Sequence, residues 1–459
     1  MAMREGARPG SARPGSQPGR LEETMRRRLG RECVYVPSCR YGLYVALRHW
    51  CPPGGRVLMS PVNDDVIFFV VLAAGLRPVQ APVNPLDASI DVDAVPGEVW
   101  GSLSAVLTTN LYGNPDPAPE LRRRCDALGI PLFEDVAHAI GSDIGGRSVG
   151  AWGDASVFSL SKHVGAQAGG MLAVADPGLR ETLAKSCEDL LLPRRAASEA
   201  AYAVRPYAEA AVRALGLRRA AWATVRLLGL MEREEIRMPL RPRELARAGA
   251  TAPDLGAYDP WVRVDMHDYR LRSGPLRLAR IGRRLDRLDE VLAACRAGTE
   301  LLLSTSWAPP ASGAAPRPHG HPDHGQPDRR HPVRAHPDRA HRDRAHPDRV
   351  HPDRVHPDRA QPDRAQPLFR VPLLVADRDA AIAALARRGI VVGYLYDPPL
   401  DDYAGADFTD VSPAPEGARW FARHALPVDP LRAREVAVVL EECGARPAEP
   451  PRGRGSARG

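Results

Sequence analysis

Between Val34 and Leu191 short apolar strand signals alternate with helical ones, and this alternation restricts the fold more than any other feature. Val34–Val36, Arg56–Ser60, Arg77–Ala81, Ala105–Thr109, Pro131–Glu134, Ser156–Ser159 and Met171–Ala175 read as strands. Helical spacing fills the intervals at Arg40–His49, Asp65–Ala74, Pro119–Leu128 and Glu181–Leu191. A parallel strand pair needs a crossover of about this length, so the pattern implies an α/β fold: a mostly parallel sheet sandwiched by helices. In such sheets ligands sit beyond the carboxyl ends of the strands. The longest apolar run, Val66–Gly75, falls short of the ~18 residues that cross a membrane, so no membrane span is expected.

The remaining chain changes character several times. Residues 192–250 are rich in Ala, Arg and Leu, with an apolar stripe of Val212, Leu215, Trp222, Val225 and Leu228 that reads as helical hairpins. Ser273–Leu303 reads as one long helix with Ser273 as its N-cap and Pro275 in its first turn. Leu368–Glu442 returns to strand (LFRVPLLV), helix (Asp377–Arg388), strand (Ile390–Tyr394) and a last helix from Arg432. From His321 to Ala365 run five-residue units such as HPDRA, HPDRV and QPDRA. A proline in nearly every unit opposes helix and strand pairing, and the units hold almost nothing to bury. Recurrent His could bind metal or a protein; an extended insertion in a surface loop is the favoured reading. The expected organisation is a tail at 1–20 and a large domain at 21–300 with a helical insertion at 192–257. A small C-terminal α+β domain at 301–443, interrupted by the repeat at 316–366, precedes a second tail at 444–459.

Charge and cysteine content narrow the function. Of 63 basic residues, only Lys162 and Lys185 are lysines; the other 61 are arginines. A lysine that persists in so arginine-biased a chain is a candidate for a task that arginine cannot perform. The net charge of +7 is small for 459 residues and interspersed with acids, so nucleic acid is not an expected partner. Seven scattered cysteines without a CxxC pair argue against disulfide or zinc frameworks and for a reducing compartment. The first 20 residues contain no apolar signal-type stretch, and the expected location is the cytoplasm.

The chemistry gathers near the ends of two strands. Asp135 emerges from Pro131–Glu134, with His138 about one turn later. Ser159 and Lys162 follow Ser156–Ser159, and Gly169-Gly170 opens the next strand. An acid, a histidine, a serine and a rare lysine on one sheet edge suit pyridoxal 5′-phosphate (PLP). That cofactor needs a primary amine, a carboxylate for its pyridine nitrogen and donors for its phosphate. Arginine remains protonated at any useful pH and cannot form the imine. Ser38, just before the Arg40 helix, would add a helix N-terminus suited to phosphate. Asp135 as a simple helix cap and His138 as a polar core residue are the competing readings of each residue alone.

These residues resemble the DegT-type (DegT/DnrJ/StrS-like) sugar aminotransferases, fold type I PLP enzymes. The run LTTNLYGNPDPAPELRRRCDALGIPLFEDVAHAIGS, Leu107 to Ser142, followed by SVFSLSK and AGGML, carries the likeness. VPSCRYGLYVAL, HDYRLRSGPLRLARIGRRLDRLDE and RGIVVGYLYDPP extend it more weakly. The resemblance implies that Lys162 holds the cofactor and serves as acid and base, Asp135 pairs with the pyridinium nitrogen, and His138 sits beside the ring. It further implies phosphate donors at Ser159, Ser38 and Cys39, and a homodimer with shared sites in which Asp268 takes a cross-subunit place. The implied activity moves an amino group from glutamate or glutamine to a keto-sugar, nucleotide-linked, in glycan or secondary-metabolite synthesis. Cys39, Arg40, Asn63, Asp268 and Ala168 depart from the family pattern. A catalytically idle paralogue acting as a binding or regulatory partner, or a PLP enzyme of another reaction type, are the alternatives. A lysine rather than a histidine at 162 argues against the family's dehydratase branch.

Overall fold

A computed structural model describes residues 17–214, 237, 239–261, 269–310 and 365–451. The repeat from 316 to 364, the stripe residues Leu215, Trp222, Val225 and Leu228, and Asp268 lie outside the described residues, as does the side chain of Val212.

Seven strands form the central sheet: β1 (Glu32–Val36), β2 (Arg56–Met59), β3 (Arg77–Gln80), β4 (Ala105–Thr108), β5 (Leu132–Asp135), β8 (Ala155–Ser159) and β9 (Gly170–Val174), with a small hairpin of β6 (Asp143–Ile144) and β7 (Arg147–Ser148) alongside. Their order is β1-β9-β8-β5-β4-β2-β3. The five strands from β8 to β3 are parallel, while β9 runs antiparallel to both β8 and β1. β4, β5, β8 and β9 are buried along their whole length, as strands covered on both faces must be. The covering helices include α1 (Gln17–Leu29), α2 (Cys39–Trp50), α3 (Asp65–Ala73), α4 (Gly97–Trp100), α5 (Ala118–Leu128) and α6 (Arg180–Leu190). The α5 helix stops where Gly129 takes a left-handed φ of 66° and Ile130 N–H bonds back to the Cys125 carbonyl, 3.1 Å. The expected α/β fold is therefore present: all seven expected strands lie in the central sheet, and the β6-β7 hairpin is additional.

Three local readings change. The N-terminal tail ends earlier than composition suggests, because α1 begins at Gln17 and buries Leu21 and Met25. Ser273–Leu303 is two helices, α9 (Pro275–Leu285) and α10 (Leu288–Leu303), following α7 (Ala196–Ala214) and α8 (Pro242–Ala250). Ser273 does not cap α9; its hydroxyl meets Tyr35 Oη at 2.9 Å. The cap comes instead from α7, where buried Glu199 accepts from Gly274 N–H at 2.9 Å and from Arg277 N–H at 3.4 Å. A carboxylate at a helix N-terminus satisfies its orphan donors and its dipole together.

In the C-terminal part, β10 (Val371–Leu374) pairs antiparallel with β11 (Ala425–Val428) rather than with Ile390–Tyr394. Val391 is 75% exposed and Tyr394 adopts φ 61°, so the 390–394 segment cannot extend as a buried strand. Helices α11 (Arg378–Arg387), α12 (Leu400–Ala404), α13 (Glu416–His424) and α14 (Ala433–Glu442) complete this part. Its core joins Leu302 and Trp307 to Val371, Leu373, Leu426, Val428, Val436 and Leu440. The stretch after Cys443, read from composition as tail, is tied down as far as Ala448, whose N–H bonds to the Leu374 carbonyl at 3.0 Å. Among the described residues, no helix is long and apolar enough to cross a membrane.

Candidate active site

Antiparallel β9 explains how distant residues meet. Its first residue, Gly170, is in register with Val36 at the end of β1 and with Ser159 at the end of β8. The Pro37-Ser38 turn and the Ser159 loop thus flank one glycine. A Cβ on Gly170 would stand 2.7 Å from Cys39 N and 2.8 Å from both the Ser38 carbonyl carbon and the Phe158 oxygen. The close approach of α2's first turn to the sheet therefore requires glycine. Asp135, one parallel strand over, ends β5 opposite Val157.

Beyond these strand ends lies a cavity of about 1230 Å³. It is lined by all six residues singled out in the sequence: Ser38, Cys39, Asp135, His138, Ser159 and Lys162. Ser38 caps α2 by accepting from Tyr41 N–H at 3.3 Å, and Cys39 and Arg40 of that first turn line the cavity beside it. Ser159 Oγ lies 2.8 Å from Ser161 Oγ.

Asp135 is 4% exposed. One oxygen, Oδ1, accepts from Ala137 N–H at 2.9 Å and faces Cys39 Sγ at 3.7 Å. These neutral contacts do not repay burial of a charge, and desolvation pushes the carboxyl up to about 7. The Cys39 thiol is likewise held well above its ordinary range by burial, next by Asp135, so it stays protonated and donates. Burial, reinforced by Lys162, drives His138 well below the ordinary imidazole range, so the ring is neutral.

Several aromatic side chains that the sequence reading did not single out surround His138. Its ring stacks on Phe369 (centroids 4.9 Å, 20°) and Tyr112 (6.2 Å, 14°), and Tyr112 stacks on Tyr396 (5.8 Å, 16°). Tyr394 meets His138 edge-on at 5.5 Å. With aromatics at 5% of the chain, the paired tyrosines of GYLYDPP were the available signal. Asn63, where the resemblance implies a stacking aromatic, lines the cavity but spends its amide on Thr109 Oγ1, 3.0 Å away. Helix α7 also reaches the wall, through Ser198, Tyr202 and Arg205. Arg277, 2% exposed, holds Glu199 of that helix at 3.4 Å.

Over residues 2–192 the chain matches the DegT/DnrJ/EryC1/StrS aminotransferase family. The resemblance read from the motifs therefore holds across the stretch that carries Asp135, His138, Ser159 and Lys162. A UDP-N-acetyl-3-dehydro-alpha-D-glucosamine 3-aminotransferase of Acidithiobacillus ferrooxidans is 31% identical over 134 residues, which cover 28% of this chain and 36% of that protein. An L-glutamine:2-deoxy-scyllo-inosose aminotransferase of Streptomyces kanamyceticus is 30% identical over 176 residues, 36% of this chain and 41% of that one. The chain thus spans about two fifths or less of the length of these curated relatives. The likeness of fold is wider. The aminotransferase TlmJ of Streptoalloteichus hindustanus superposes with a TM-score of 0.58 at 19% identity, covering 94% of this chain and 90% of that one. The fold is that of fold type I.

Proposed function

We propose that the protein is a PLP-dependent aminotransferase that passes an amino group from glutamate or glutamine to a keto-sugar, nucleotide-linked, in glycan or secondary-metabolite synthesis. The observation that carries this is the pairing, on one cavity, of a lysine amine with a buried carboxylate that lacks a cationic partner among the hydrogen bonds and ion pairs of the described residues.

The donor set fits the cofactor. Asp135 has its Oδ1 occupied by neutral donors, and a protonated pyridine nitrogen would supply the charge its burial leaves uncompensated. The N-terminus of α2 at Ser38 and Cys39, with the hydroxyl of Ser159, would suit the phosphate. When bound, PLP supplies a carbonyl carbon that takes up amines and a ring that draws electron density from the adjacent carbon. Lys162 Nζ would be the primary amine that holds the cofactor, and as a base it would move a proton at substrate carbon. Asp135 would pair with the ring nitrogen and hold its proton there. Neutral His138, packed between aromatic rings, presents a ring nitrogen without adding positive charge. Tyr112 and Phe369 stack on His138, and Tyr396 on Tyr112, which fixes the orientation of the imidazole.

Homodimeric assembly belongs to the same reading and is checked by light scattering on the purified chain. So does a cytoplasmic location: all seven cysteines are free thiols and six of them are buried, which suits a reducing compartment. PLP added to purified protein should produce an absorbance band that Lys162→Ala loses, and glutamate or glutamine should convert that band in the wild type. A band of undiminished strength in Lys162→Ala rules out the assignment of the lysine. Failure of the wild type to take up PLP refutes the enzymatic reading and favours an idle paralogue.

A further inference from the structure

Lys162 Nζ stands over two ring faces, and its charge also acts on Asp135, Cys39 and His138. It stands 4.0 Å from the centroid of Tyr394 and 5.6 Å from that of Phe369. The two rings meet at 77°, forming a corner around the amine. Arg370 lies over the same pair, 4.2 Å from Phe369 and 5.1 Å from Tyr394, so the corner stands among two cations. Both rings come from the C-terminal part of the chain.

Their placement is held at some conformational cost. Tyr394 sits at φ 61° and Tyr112 at φ 57°, a region that bulky residues rarely enter. The two are joined by a hydrogen bond from Tyr112 Oη to the Tyr394 carbonyl, 2.6 Å. Phe369 is fixed from its backbone, whose N–H donates to the Tyr112 carbonyl at 2.7 Å. Two residues upstream, the Pro367 carbonyl meets His163 Nε2 at 3.0 Å. Tyr112 thus anchors both rings, one through its hydroxyl and one through its carbonyl.

We propose that Tyr394 is the seat of the Lys162 amine, a positioning residue supplied by the C-terminal part of the chain. This rests on the reading of Lys162 as the amine that bears the cofactor. A ring face attracts an ammonium without offering it a proton acceptor. A carboxylate there would bind the amine in a charge pair; the ring aims it and lets it leave.

The test uses cofactor-free full-length protein and the fact that the chain has two lysines, so exposed Lys185 is an internal reference. Trinitrobenzenesulfonate labelling, read by peptide mass spectrometry, gives the ratio of Lys162 to Lys185 modification. Tyr394→Leu should raise this ratio about three- to tenfold, the range expected for losing one covering cation–ring contact. Tyr394→Phe, which keeps the ring, should stay within about twofold of wild type. Tyr112→Phe keeps both rings but frees the Tyr394 carbonyl, and should raise the ratio by an intermediate amount; it carries the test if the leucine variant does not fold. An unchanged ratio in Tyr394→Leu, or in Tyr112→Phe where that variant stands in for it, overturns the proposal. So does a rise in Tyr394→Phe as large as that in the leucine variant. Because no PLP is added, the outcome is independent of whether the wild type takes up the cofactor.

Discussion

Asp135 offers the sharpest stability test, because its site opposes the charge that its proposed role requires. Its carboxyl titrates at about 7 in the cofactor-free protein, against an ordinary 3.8. A carboxyl raised in the folded state binds its proton more tightly there than in the unfolded chain. Between these two values the native state carries more protons, so stability falls as pH rises. The penalty is absent below about pH 4, grows through the window, and is complete above about pH 7. At ~1.4 kcal/mol per pH unit, the full interval is worth about 4 kcal/mol as an upper bound. Asp135→Asn keeps an acceptor for Ala137 N–H and cannot ionise. Cofactor-free Asp135→Asn should therefore be more stable than wild type at pH 8, by about 2–4 kcal/mol, with the advantage reduced to about 1 kcal/mol or less at pH 4.5. Denaturant melts of both proteins across this range measure the difference directly. A difference that is the same at pH 4.5 and pH 8, or that grows towards acid, would refute the argument that burial of an uncompensated charge governs this residue.

Other changes probe the framework. Gly170→Ala forces a methyl against the backbone of Ser38 and Cys39, and should cost ~2 kcal/mol or more in denaturant melts while weakening PLP uptake in absorbance titrations. Glu199→Ala strips the cap from α9 and leaves the Arg277 guanidinium buried without its carboxylate, an expected loss of ~3 kcal/mol. Glu199→Gln retains an acceptor for Gly274 N–H and should lose less; equal losses for the two variants would show that the charge of Glu199 is irrelevant.

Much of the site was legible because its residues stand beside strand ends. Asp135, Ser159 and Lys162 each follow an apolar run with the period of a buried strand, and a parallel sheet must bring such ends to one edge. Ser38 followed the same logic through the helix start it caps. The aromatic wall was not legible. Phe369, Tyr394 and Tyr396 lie more than two hundred residues from His138 in sequence. No local periodicity reports that they meet it. Tyr394 also breaks the strand expected around it, since its left-handed backbone serves a contact with Tyr112 rather than local pairing. The cap of α9 is hidden from sequence for a related reason: Ser273 is a good N-cap by type, but the carboxylate of Glu199, from another helix, takes the position.

From sequence alone come the α/β class, the strand set and the amine, carboxylate and imidazole on one edge, because these depend on local periodicity and residue chemistry. Tertiary structure decided what surrounds them. Packing of the C-terminal part set the rings against Lys162 and His138. Burial, which no residue carries by itself, raised Asp135 and kept His138 neutral. The direction of β9, fixed only by pairing with both β1 and β8, brought Ser38 and Ser159 to either side of Gly170.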